Sequence, residues 1–147
     1  MTRAYVGLGA NLGDREPTIR EAARRIGVRR LSEIRETEPW GYADQPPFLN
    51  AAAEVDTDLG ARGLLDLLLD VEQGLGRERG TGPRYGPREI DLDLLLFGSA
   101  VIDEPGLTVP HPLLHERRFA LEPLAELDAG LVVPGRGTVA ELLAALD

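Results

Sequence analysis

The sequence predicts an α+β fold, an antiparallel sheet with helices packed on it, and three observations lead there. Apolar segments suited to strands and two stretches of helical period follow one another in the order strand, helix, strand, strand, helix, strand. No repeat, low-complexity run or linker interrupts the 147 residues, which reads as one domain, 1–147. The alternation in the most regular strand segments has the period of two expected of sheet strands. Together these predict a ferredoxin-like βαββαβ sandwich with a short C-terminal extension.

Each element has its own signal. Ala4-Tyr5-Val6-Gly7-Leu8-Gly9 reads as a buried strand. Asp14 stands at an N-cap position, Pro17 falls in the first turn of the following helix, and Gly27 closes it. Within that helix Ile19, Ala22, Ala23 and Ile26 form one apolar face. Val28 to Glu38 suits a single long, partly exposed strand, and the glycine and prolines of Pro39 to Pro47 mark a loop. Phe48 to Val55 alternates, with Leu49, Ala51, Ala53 and Val55 on one face and Phe48, Asn50, Ala52 and Glu54 on the other. Leu64, Leu65, Leu68 and Val71 mark a second helix ending near Gly74 or Gly76, and a glycine- and arginine-rich loop follows to Pro87. Ile90 to Phe97 is the clearest strand, and its apolar neighbours Ile90, Leu92, Leu94 and Leu96 predict a central place in the sheet. The helices are expected on one face of that sheet, with short helices near Glu116–Leu127 and Val139–Leu146 in the extension.

Composition narrows the function. A net charge of −9 argues against an extended nucleic-acid or anionic-membrane surface, and no apolar run approaches a membrane span. With no cysteine, disulfides, thiolate metal sites and cysteine nucleophiles are excluded. All sixteen basic residues are arginine, so neither a Schiff-base lysine nor a Walker-type phosphate loop is available. The opening residues show no signal-peptide architecture, and a cytoplasmic location is expected.

The chemistry centres on Asp91 and Asp93. At i and i+2 of a strand both carboxylates leave the same face, and two like charges there repel unless a cation sits between them. An isolated pair of this kind is most often merely solvated, but the preceding loop changes the balance. Arg77, Arg79, Arg84 and Arg88 crowd twelve residues that hold one acid, Glu78. Arginine forks match phosphate oxygens, while magnesium takes carboxylates and completes its shell with water and substrate phosphates. Both halves of a Mg-polyphosphate site are therefore adjacent in sequence. His111, held between Pro110 and Pro112 and followed by His115, Arg117 and Arg118, adds a second cationic cluster. Phe48 and Asn50 share a strand face, and with Phe119 as an opposing ring they suit a flat heteroaromatic ligand hydrogen-bonded at its edge. Gly7-x-Gly9-x3-Gly13 has the wrong spacing for a dinucleotide fingerprint.

Several segments in order, from Gly7-Leu8-Gly9-Ala10-Asn11-Leu12-Gly13 through Glu36-Thr37-Glu38-Pro39-Trp40-Gly41, Asp44-Gln45-Pro46 and Phe48-Leu49-Asn50-Ala51 to Arg84–Gly98 and Val109-Pro110-His111, resemble the 6-hydroxymethyl-7,8-dihydropterin pyrophosphokinases of folate biosynthesis. The resemblance runs nearly end to end. It implies a ferredoxin-like fold and transfer of the β,γ-diphosphate of ATP to the pterin hydroxymethyl group with release of AMP. It implies two Mg2+ ions on Asp91 and Asp93, and catalytic roles for those aspartates with Arg77 and Arg88. ATP would meet Glu72, Arg77, Arg79, Arg84, Tyr85, Arg88, Leu94, Thr108, His111 and Arg117. The pterin would meet Thr37, Trp40, Phe48, Asn50, Asp91 and Phe119, with the two phenylalanines sandwiching its ring. The expected partners are those two small molecules, with no nucleic acid and no membrane, and the protein is expected as a monomer or weak homodimer. Tyr85 and Phe48 stand where many members carry tryptophan and tyrosine. Rival readings are a non-catalytic effector-binding domain, an ordinary kinase releasing ADP, and an RNA-binding sheet, the last disfavoured by charge.

Overall fold

A computed structural model describes residues 1–11, 13–37, 47–76 and 90–146. β1 (Thr2–Ala10) leads into α1 (Arg15–Ile26), which turns back through β2 (Arg30–Leu31) and β3 (Arg35–Thr37). β4 (Phe48–Thr57), α2 (Ala61–Gly74) and β5 (Asp91–Phe97) complete the βαββαβ order. All pairings in the main sheet are antiparallel, with β1 between β4 and β5 and both β2 and β3 on the far side of β4. The extension adds the hairpin β6 (Ile102–Glu104) and β7 (Leu107–Val109), a 3₁₀ turn (Leu114–Glu116), α3 (Arg118–Asp128), the hairpin β8 (Val132–Val133) and β9 (Gly137–Thr138), and α4 (Val139–Ala144). The sequence pattern did not signal either hairpin.

The predicted helices fall where their periodicity put them. Ile19, Ala22, Ala23 and Ile26 of α1 are buried, and Gly27 ends that helix at φ +79°, a left-handed conformation in which a side chain would be strained. Asp14 is at the N-cap, but its side chain makes no capping bond; its carbonyl accepts the Thr18 amide instead. α1 and α2 bury their apolar faces against Ala4, Val6 and Leu8 of β1, Ala51, Ala53 and Val55 of β4, and Leu92 and Leu94 of β5.

Three expectations need correction. First, helices do not lie on one face only: Leu121, Leu124 and Leu127 of α3 pack on the opposite face with Tyr5, Ala52, Leu95 and Leu96, and Val139 of α4 joins them. Second, β5 is an edge strand among the described residues, not a central one. It resembles a central strand because both its faces are covered, and its outer edge is capped piecemeal. The Leu92 amide donates to Glu72 and the His111 amide donates to the Leu95 carbonyl.

Third, Val28 to Glu38 is not one strand. Arg30 and Leu31 pair with Glu54 and Ala53, whereas Arg35, Glu36 and Thr37 pair with Asn50, Leu49 and Phe48. Ser32 still faces Ala52, donating its amide to the Ala52 carbonyl while its hydroxyl accepts the Ala52 amide. Glu33 and Ile34 together then oppose Ala51 alone, which is a one-residue β-bulge. Ile34 drops into the core under α1 and α2, and Arg35 and Thr37 are turned onto the opposite face. In unbroken register both would point the other way.

Candidate active site

Register alone assembles the centre of the site. Asn50 of β4 is paired with Gly9 of β1, and Gly9 with Asp91 of β5; one step along, Ala52, Gly7 and Asp93 form the next row. These residues share the face on which α3 packs. An amide, a bare backbone and a carboxylate therefore stand side by side. A methyl group built on Gly9 would meet Asn50 Oδ1 at 2.8 Å and the Phe48 ring at 3.6 Å, so glycine is what allows both side chains to lean over β1. The space above Gly7 is used differently: the Leu95 side chain, extra residue of a bulge in β5, fills it at 3.5 Å.

Asn50 is only 7% exposed, and its Nδ2 donates to the Thr37 hydroxyl. With that bond made, Oδ1 and one N–H remain to offer to a ligand. The bulge described above is what brings Thr37 onto this face. Phe48 lies one pair further along β4, opposite Thr37. Phe119, on the first turn of α3, comes from the layer above and packs with the α3 core.

Arg117, at the N-cap of α3, is 6% exposed. Its guanidinium carbon is 5.5 Å from the centre of the Phe119 ring, and its Nη1 is 3.6 Å from Asp93 Oδ2. His111 Nε2 is 4.0 Å from Asp93 Oδ1. Burial, reinforced by the neighbouring Arg117 charge, pushes the His111 pKa down to about 4, so the ring is neutral at physiological pH. The Leu113 amide donates to Nδ1, which leaves the ring proton on Nε2, facing Asp93. His111 is thus a neutral donor aimed at the carboxylate side of the site. Val109–Pro110 is a cis peptide. Beyond His111 an open cleft of about 270 Å3 is lined by Asp103, Thr108, Val109 and Arg136 among others.

Of the predicted site residues, the structure gathers Thr37, Phe48, Asn50, Asp91, Asp93, His111, Arg117 and Phe119 on one face, with Thr108 in the adjoining cleft. Two lie elsewhere. Leu94 is buried under α1 and α2, on the opposite face from the aspartates, and Glu72 is 1% exposed at the edge of β5, its Oε2 accepting the Leu92 amide at 2.7 Å. In the second cationic cluster of the sequence, His115 Nε2 lies 3.8 Å from the carboxylate of its neighbour Glu116. Trp40, Arg77, Arg79, Arg84, Tyr85 and Arg88 lie outside the described residues. Sequence reasoning missed the part played by Gly9; the available signal was a glycine at alternate positions of a strand, which marks a close approach from outside.

No group of three or more His, Asp or Glu side chains that could hold a metal occurs among the described residues. Two carboxylates on one face nevertheless suit magnesium, which takes the rest of its shell from phosphates and water. No helix among the described residues is long and apolar enough to cross a membrane.

A family model described as 7,8-dihydro-6-hydroxymethylpterin-pyrophosphokinase matches residues 5–129. A 2-amino-4-hydroxy-6-hydroxymethyldihydropteridine pyrophosphokinase of Methylorubrum extorquens is 45% identical, over 100% of this chain and 95% of its own. The Bacillus subtilis protein of the same name is 46% identical over 84% of this chain and 77% of its own. Among solved structures, the HPPK-DHPS of Plasmodium falciparum crystallised with pteroate superimposes with a TM-score of 0.75 at 14% identity, over 98% of this chain. This chain spans 42% of that protein, and the likeness is one of fold.

Proposed function

Because the chain belongs to the 7,8-dihydro-6-hydroxymethylpterin-pyrophosphokinase family, we propose that it transfers the β,γ-diphosphate of ATP to the hydroxymethyl group of 6-hydroxymethyl-7,8-dihydropterin. The observation that carries this reading is the row Asn50–Gly9–Asp91, which sets a polar edge, a bare floor and a carboxylate in line across the sheet.

A pterin is flat, with alternating donors and acceptors along one edge. Asn50, oriented by Thr37, reads that edge, and Phe48 and Phe119 hold the two ring faces. The hydroxymethyl group then points along the row toward Asp91. Its oxygen attacks the β-phosphorus of ATP, a new P–O bond forms, and the bond from the β-phosphorus to the α,β-bridging oxygen breaks. AMP leaves with that oxygen, and the hydroxyl proton passes to solvent. Asp91 and Asp93 are the residues that would hold Mg2+, two ions in this reading, and bound magnesium supplies charge neutralisation along the triphosphate. Arg117 and the Nε2–H of His111 donate to phosphate oxygens from the β5 side. By resemblance, Arg77 and Arg88 add positive charge to the transferred group.

Incubation of the protein with Mg-ATP and the pterin alcohol, followed by chromatography, tests the proposal. AMP and the pterin diphosphate are expected in equal amounts. ADP in place of AMP would make it an ordinary kinase, and pterin binding without turnover would make it an effector-binding domain.

A further inference from the structure

The bulge that turns Thr37 onto the site leaves one backbone amide, that of Glu33, directed away from the β4 ladder. It is not left to solvent. Both oxygens of Glu126, on the last turn of α3, accept it, at 3.2 and 3.0 Å. The same carboxylate accepts Arg35 Nη2 at 2.8 Å. Arg35 is the first residue after the bulge, in register with Asn50. One turn of helix thus holds both the residue that makes the bulge and the residue that follows it. Nearby, Arg30 Nη2 donates to the Leu127 carbonyl at 2.6 Å, tying the strand before the bulge to the same helix end.

We infer that Glu126 is a positioning residue for the ring-binding half of the site. Glu126 and Phe119 are seven residues apart on α3, hence on the same side of the helix and about 10 Å apart along it. One end of that helix brings Phe119 to the ring, and the other fixes the strand register that presents Thr37 to Asn50. Glu126 makes these two walls one unit. An ordinary surface ion pair does little, and the Arg35–Glu126 contact alone would be of that kind. What distinguishes Glu126 is the hydrogen bond it accepts from the bulge amide, which is directed away from the β4 ladder.

The inference rests on the pterin reading above, and the test separates the two. In Glu126→Ala the dissociation constant for the pterin alcohol is expected to rise about five- to tenfold, while the KM for ATP stays within about twofold. Glu126→Gln keeps an oxygen for the Glu33 amide and is expected to restore most of the affinity. Hydrogen exchange at Glu33, Ile34 and Arg35 should quicken in the alanine variant and not in the glutamine variant. Wild-type pterin affinity in Glu126→Ala, or equal losses for pterin and ATP, overturns the inference. Asn50→Ala is measured alongside. If it weakens pterin binding and Glu126→Ala does not, the clamp alone is wrong; if neither does, the ring-site reading falls and the clamp with it. Should Glu126→Ala fail to fold, Glu126→Asp keeps the charge and draws the carboxylate back from the Glu33 amide by one methylene. Selective loss of pterin affinity there supports the inference, and its absence overturns it.

Discussion

A single absent methyl group organises the floor of the site. Gly9 lets Asn50 and Phe48 close over β1, and any side chain there must push the amide aside. Gly9→Ala is therefore expected to raise the KM for the pterin alcohol about tenfold or more, with the KM for ATP little changed and thermal stability near wild type. Asp93 lies where the Arg117 guanidinium, 3.6 Å from Oδ2, and the neutral His111 ring, 4.0 Å from Oδ1, converge on one carboxylate. Asp93→Asn keeps the shape and removes the charge, so turnover should fall at least about a hundredfold while the melting temperature stays within a few degrees. Near-wild-type turnover would remove Asp93 from the metal site. At this scale the sequence was informative where the chemistry is written in residue type: two carboxylates at i and i+2 must share a face. It was silent about Gly9, whose contribution is space, and about the burial of Arg117, which depends on α3 lying over the sheet.

Elements were legible in proportion to how much of their hydrogen bonding is local. α1 and α2 follow from apolar spacing and a left-handed glycine. The bulge between β2 and β3 does not, because it depends on a partner strand: the hydroxyl of Ser32 takes the Ala52 amide that a regular ladder would give to a carbonyl. Ser32→Ala leaves that amide buried without an acceptor, and urea denaturation should show a loss of about 1–3 kcal/mol. An unchanged midpoint would mean the ladder closes over the gap by itself. β5 misled for a related reason. Hydrophobicity reports how many faces of a strand are covered, not how many edges are paired, and β5 has both faces covered with its outer edge capped by Glu72 and His111.

Across the whole molecule the sheet separates two jobs. The layer under α1 and α2 holds one large apolar cluster. The opposite face holds the site at one end, an α3 core in the middle, and a charged knot at the other end, where Glu54 is 2% exposed among Tyr5, Arg29, Arg30 and Arg3. Burial by itself would raise the Glu54 carboxyl, but hydrogen bonds from Arg30, Arg29 and Tyr5, with the charge of Arg3, outweigh it and hold its pKa at about 2. Tyr5 is pushed up to about 12 by burial and by its bond to Glu54. A folded-state value below the ordinary 4.5 means that the stabilisation is complete above about pH 4.5 and disappears as pH falls through 2. Glu54→Gln should therefore be less stable than wild type at neutral pH, by an amount on the order of 1–2 kcal/mol because the guanidinium groups are half in water. The gap should narrow on acidification, and denaturation curves at pH 7 and pH 3 check it. A gap that widened in acid would contradict the assignment. The kink before β3 carries a different kind of consequence, one concerning length. Shortening the peripheral segment between Ser32 and Arg35 by one residue removes no group that faces the ligand, yet it rotates every later side chain of that strand by half a turn and sends Thr37 to the back of the sheet. On most surfaces an omitted residue passes unnoticed; here the number of residues is itself part of what the protein recognises.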